Sequence, residues 1–246
     1  MICPKCGFEQ RPAGEECLRC GVIFSKLNTR PPIEPRFDEH VDRPDAAALG
    51  QRAAVMDLLL PLPAEPNLLV VAGRGVLWLV LIFWSFSFLF ASIQSNAAGH
   101  SILHLVNLPF HEAGHIIFSP LGRFIQVLGG TLGQLLMPAV CLVVLLIRTR
   151  DAFGAAVAQW WLAESFMDIA PYINDARALN LILLGGVTGK DVEDYHDWEY
   201  LLRHMGLLRW DHALALLAQG IGIVLMVTAL AWAAANLWVQ FKAGRK

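Results

Sequence analysis

From residue 67 onward, apolar positions run on in stretches too long for the alternation of a strand or the one-sided stripe of a surface helix. Their lengths predict membrane-crossing helices. Gly75 to Ile93 carries no charge and is entered past Arg74. Phe124 to Ile147 is closed by Arg148 and Arg150, and residues 213–241 are followed by Lys242, Arg245 and Lys246. Between these three spans lie two apolar segments, 102–119 and 154–174, that are broken by ionisable groups. Leu181 to Gly186 is too short to cross and is expected to be re-entrant or interfacial. The pattern predicts a mainly α fold, a polytopic membrane helix bundle of about five or six embedded segments.

The first 66 residues read differently. Residues 27–66 hold Pro31, Pro32, Pro35, Pro44, Pro61, Pro63 and Pro66 among charged residues, a linker composition with a short amphipathic helix expected around Asp45 to Leu60. Residues 1–26 repeat one knuckle, Cys3-Pro-Lys-Cys6-Gly7 and Cys17-Leu-Arg-Cys20-Gly21. Four thiolates at that spacing favour a tetrahedral zinc ion over disulfides, and one ion can organise a segment too short for a core. The module resembles the short zinc ribbons, with all four ligand positions filled by protein, so a structural or docking role is expected of it. The division is therefore 1–26 zinc ribbon, 27–66 Pro-rich linker and 67–246 membrane-embedded domain.

Composition agrees: 56% of the 246 residues are hydrophobic and 16% charged, against about 25% charged in ordinary soluble domains. With 19 Lys and Arg against 21 Asp and Glu, no basic excess advertises nucleic acid, and none is expected as a partner. The N-terminus shows no basic region leading into an apolar stretch, so no cleavable signal is expected and the ribbon is placed in the reducing cytosol. The chain is expected to be a multi-pass integral membrane protein. Trp160, Trp161, Trp198, Trp232 and Trp238 are expected at the membrane interface or facing lipid.

Charge at bilayer depth is costly and marks function. The segment Asn107-Leu-Pro-Phe-His111-Glu112-Ala-Gly-His115 contains His-Glu-x-x-His. On a helix the two imidazoles lie one turn apart on one face, where they can bind one zinc ion, and Glu112 is placed to take a proton from water. Pro109 suits a first helical turn, with Asn107 as its cap. A hydrolytic site needs a third ligand. Glu164, Asp168 and Asp175 are the candidates, while His196-Asp197 reads more naturally as a solvated loop pair or a support to the ligands, and His104 as a packing residue or a support to the ligands. Gly129, Gly130 and Gly133 read as close helix packing, with Gln134 a polar group at depth.

At these residues the chain resembles the site-2 protease family of intramembrane zinc metalloproteases, with Pro171 to Asp175 as the second element of the match. Asp175 departs from the family pattern in being followed by Ala176 rather than Gly. The resemblance implies His111, His115 and Asp175 as zinc ligands and Glu112 as catalytic base. It also implies a membrane protein as substrate, which must unwind locally before its carbonyls are free. A cytosolic protein partner is expected at the ribbon, and the lipid bilayer surrounds the rest. Two zinc ions are expected in all, one catalytic and one structural. The alternatives are an inactive membrane scaffold that keeps its zinc site, and another metal-dependent membrane enzyme such as a lipid hydrolase or histidine-box oxidase.

Overall fold

A computed structural model describes residues 1–11, 14–26, 46–61 and 67–244. The chain separates into two compact units, Met1–Asp45 and Ala46–Lys246. Most of the linker, 27–45 and 62–66, lies outside the described residues.

In the first unit each knuckle is a turn closed by Gly7 N–H onto Cys3 O (2.9 Å) and by Gly21 N–H onto Cys17 O (2.8 Å). Both glycines adopt positive φ, 71° and 67°, a conformation that glycine takes without a Cβ penalty. Isolated antiparallel bridges, Ile2 with Glu9 and Glu16 with Ile23, close the two halves. Gln10 stitches them together, donating to Glu16 O at 3.0 Å and accepting from Leu18 N–H at 3.0 Å.

The second unit is helical. Helix α1 (Ala46–Leu59) falls on the segment expected to be helical, but without the apolar face of an amphipathic helix. Helix α2 (Leu68–Leu89) begins before the charge-free run because Asn67 Oδ1 caps the amides of Leu69 and Val70. Helix α3 (Ile102–Phe118) carries the His-Glu-x-x-His residues, and α4 (Arg123–Val143) continues as a π-helical turn, Val144–Arg148. Helix α5 (Ala152–Asn174) is followed by a long loop, the short α6 (Asp197–His204) and α7 (Asp211–Ala243). Three helical stretches among the described residues, Leu68–Leu89, Arg123–Arg148 and Leu208–Ala243, are long and apolar enough to cross a membrane. They make this a multi-pass membrane architecture.

Helix α5 is the buried centre. Trp160, Ala163 and Met167 pack with Leu81 and Phe88 of α2 and with Met226 and Ala229 of α7. One turn further, Ile169, Ala170 and Ile173 meet Ala215 and Ala218 of α7. Small residues let the helices approach: a Cβ on Gly222 of α7 would stand 2.8 Å from Ala163 O. Of the tryptophans expected at the lipid boundary, Trp160 is internal instead and Trp161 is half-buried with its N–H turned inward. Trp160 is 3% exposed and donates to Ser85 Oγ at 2.7 Å, and Trp161 donates to Asn107 Oδ1 at 2.8 Å. Inside a helix bundle the indole N–H has a polar partner, and the ring fills the volume between helices.

Candidate metal centres

Helix α3 starts earlier than Pro109 implies. Ser101 is its cap, its Oγ accepting from Leu103 N–H, so Pro109 sits inside the helix and Asn107 is buried rather than capping. The consequence for the motif is the expected one. His111 and His115 project from one face, their ring centroids 4.9 Å apart.

The third group that meets them is Asp197, the first residue of α6. Its Oδ2 lies 2.9 Å from His111 Nε2 and 3.3 Å from His115 Nε2, and the three donor atoms all lie within 4.8 Å of one another. Ligands about 2.05 Å from a tetrahedral zinc ion stand about 3.3 Å apart, so the spacing fits that ion. The space fits too. A Cβ on Gly130 of α4 would stand 2.5 Å from His111 Nε2 and 2.6 Å from His115 Nε2, so the absent side chain keeps the point of convergence clear. His115 Nδ1 faces the Gln126 carbonyl oxygen at 2.9 Å, which places its proton there and leaves the Nε2 lone pair free.

Asp197 is placed from both sides. Its own amide donates to the Tyr172 hydroxyl oxygen at 2.9 Å. The preceding His196 caps α6 by accepting from Glu199 N–H at 3.2 Å and lies against Tyr172 with ring centroids 4.3 Å apart. Burial acts to raise the Asp197 pKa, but His111 and His115, whenever they carry protons on Nε2, hold it below the ordinary carboxylate value through hydrogen bonds and charge. His196 is shifted down by burial, against the charges of Asp175 and Asp197.

The three acids considered as ligands are elsewhere. Asp175 does not join the histidine pair. It follows the last residue of α5, and its carboxylate accepts from the amides of Asn180 (3.0 Å) and Leu181 (2.9 Å) and lies 3.5 Å from His196 Nε2. It therefore turns the loop that returns to Asp197. Asp168 accepts from Gln134 Nε2 (2.8 Å) and Asn107 Nδ2 (3.1 Å) and faces His104 Nδ1 at 3.0 Å. Glu164, fully buried, accepts from the same Asn107 amide at 2.9 Å. Sequence reasoning missed Asp197 because it lies far along the chain in a polar stretch. No local signal singles it out, because Asp191, Glu193, Asp194 and Glu199 stand around it as equally plausible carboxylates.

Glu112 sits on α3 beside the pair, half-buried, and lines a cavity of about 590 Å³ shared with His111, His115, Tyr172 and Asp197. Its carboxylate makes no hydrogen bond or ion pair with a described residue. Leu181 to Leu184, expected as a re-entrant or interfacial piece, is a non-helical loop that lines the same cavity, with Ile182 largely exposed.

The second candidate centre is in the first unit. The sulfurs of Cys3, Cys6, Cys17 and Cys20 lie within 4.8 Å of one another, with Cys3 to Cys20 at 3.7 Å and Cys6 to Cys17 at 3.6 Å. Four sulfurs about 2.3 Å from one zinc ion stand about 3.8 Å apart, close to what is found. The negative charge is unevenly held. Burial acts to raise Cys17, but the amides of Cys20 and Arg19 and the thiols of Cys3 and Cys20 draw it down to about 6. The Phe8 backbone acts to lower Cys6, but burial and the three other thiols carry it up to about 12.

Comparison with protein-family models, curated proteins and solved structures finds no match to this chain.

Proposed function

We propose that this protein is an intramembrane zinc metalloprotease with a zinc ribbon as a docking module. The observation that carries the reading is the convergence of His111 Nε2, His115 Nε2 and Asp197 Oδ2 at the wall of a cavity that also holds Glu112, in a unit built of membrane-length helices. Two imidazoles and one carboxylate leave a tetrahedral ion one open position, the pattern of hydrolytic rather than structural sites. The ligand set is His111, His115 and Asp197, in place of the Asp175 that the family resemblance implies.

A zinc ion bound there would polarise the scissile carbonyl and make a water acidic enough to lose a proton near neutral pH. Glu112, which lines the cavity and makes no hydrogen bond or ion pair with a described residue, would accept that proton and return it to the leaving amine. Tyr172, by holding the Asp197 amide, keeps the third ligand in register with the α3 pair. The apolar walls, Leu105, Leu108 and the loop Leu181 to Leu184, suit an unwound stretch of a membrane protein, whose backbone groups need a lined cavity at that depth. In this reading α3 and α5 are embedded with the three membrane-length helices, giving about five embedded segments. The ribbon faces the cytosol and recruits a protein partner.

The test compares wild type with Glu112→Gln, which removes the base and spares the ligands. Membrane fractions from cells making either form are searched for new protein termini inside membrane-spanning segments. Fragments that need Glu112 are expected, while zinc content stays unchanged. Identical sets of fragments would overturn the protease reading in favour of a zinc-keeping scaffold.

A further inference from the structure

The polar cluster behind His111 is not used by the mechanism above. His111 Nδ1 faces Gln134 Oε1 at 3.2 Å, and Gln134 Nε2 donates to Asp168 Oδ2 at 2.8 Å. Asp168 is held by Asn107 from one side and by His104 from another. Gln134, Asn107 and Asp168 are all buried, with Gln134 and Asp168 at the cavity wall.

We propose that Asp168, acting through Gln134, is a positioning residue that fixes the tautomer of His111 and so presents its Nε2 lone pair to the metal position. The inference rests on the reading of His111, His115 and Asp197 as a metal centre. An ionised carboxylate only accepts, so the Gln134 amide must turn its NH₂ toward Asp168 and its oxygen toward His111. That oxygen also only accepts, so His111 must carry its proton on Nδ1. A neutral imidazole with its proton there has its lone pair on Nε2, the atom that meets Asp197. Without the Gln134 oxygen nothing would oppose the other tautomer, in which Nε2–H donates to Asp197 and the centre closes on itself as a hydrogen bond. His115 needs no such relay, because a backbone carbonyl does the same work directly. The role explains a carboxylate at this depth that touches neither histidine of the pair. A metal-ligand histidine depends on the partner of its other nitrogen, and loss of that partner weakens metal binding by about 10–100-fold.

The experiment measures zinc affinity of the full chain by chelator competition, with the four-cysteine zinc as internal reference. Gln134→Leu is expected to weaken the membrane-unit zinc by about 10–100-fold and to leave the cysteine zinc unchanged. Gln134→Met, nearer the native length, serves if the leucine variant does not fold. The exchange Gln134→Glu with Asp168→Asn keeps the order of donors and acceptors: the amide introduced at position 168 donates to the carboxylate introduced at position 134, which accepts from His111 Nδ1–H. It is expected to restore affinity to within about threefold of wild type, which mere filling of space would not do. Unchanged affinity in Gln134→Leu or Gln134→Met, or an exchange as weak as the single variant, would overturn the inference while the metal centre stands. Wild type holding zinc only at its cysteines would overturn the reading of the centre itself, and this inference with it.

Discussion

Asp197 and Asp175 are chemically the same residue with different surroundings, and the surroundings decide which one meets the histidines. Asp197 is offered to His111 and His115 from the first turn of α6, with its backbone amide pinned by Tyr172. Asp175 spends its carboxylate on two backbone amides of the following loop. Asp197→Ala is therefore expected to lower zinc affinity of the membrane unit at least about 100-fold, and Asp175→Ala, which loosens only the loop, less than about tenfold. Zinc per chain after dialysis against a weak chelator separates the two, and the reverse order would restore Asp175 as the ligand. Tyr172→Phe keeps the ring against His196 but deletes the acceptor for the Asp197 amide. A fall in zinc affinity of up to about tenfold is expected, with little change in melting temperature.

Two elements, α3 and α4, make the site possible by lying unusually close. A Cβ on Gly114 would run into the Gly129 carbonyl oxygen and one on Gly133 into the Phe110 carbonyl oxygen, while Gly130 faces the imidazoles themselves. Small residues at this spacing are legible in the sequence as a close-packing signal. That one of them clears the space at the two imidazoles is not, because nothing local says which face of α4 meets which residue of α3. Gly130→Ala tests the difference. Overpacking of this kind costs about 1–3 kcal/mol, and here the strain falls on the Nε2 atoms. Zinc at the membrane unit is expected to be lost under conditions where the protein still melts cooperatively. Retention of full zinc affinity would show that the histidines can step aside.

On the scale of the whole molecule, the two units rest on different physics. The first has few buried side chains among its described residues, chiefly Cys3, Cys17 and Gln10, so under the proposed function its order depends on a metal ion. Strong chelation is expected to abolish amide protection in residues 1–26 and to leave the helical signal of the second unit intact. Loss of both together would show that the unit's order does not rest on its own ion. The second unit is held by packing around α5 and by polar clamps at its ends. At one end Arg74 of α2 pairs with Asp151 at 3.0 Å and donates to Gln240 of α7 at 3.0 Å, while Asp151 also caps α5 by accepting from Gly154 N–H. Asp151→Ala removes a cap and an ion pair together. It should cost about 1–2 kcal/mol, read as a lower melting temperature in detergent.

Run length and hydrophobicity alone determined the three membrane-length helices, since an apolar stretch in lipid has to satisfy its backbone within itself, while the polar α6 was not among them. Helical periodicity alone determined that His111 and His115 share a face, and the doubled Cys-x-x-Cys spacing determined the four-sulfur cluster, because both are local geometry. Exact starts moved where a cap outside the apolar run, Asn67 or Ser101, took up the first amides. The carboxylate that meets the histidine pair, the burial of Trp160, and the partners of Gln134 and Asp168 were decided only by tertiary structure. Each depends on which residues meet across helices far apart in sequence, and a side chain's chemistry does not specify its distant partner. A carboxylate in an apolar helix announces that some polar partner exists, and only the packing of α3, α4 and α5 shows that for Asp168 the partner is a glutamine behind a histidine.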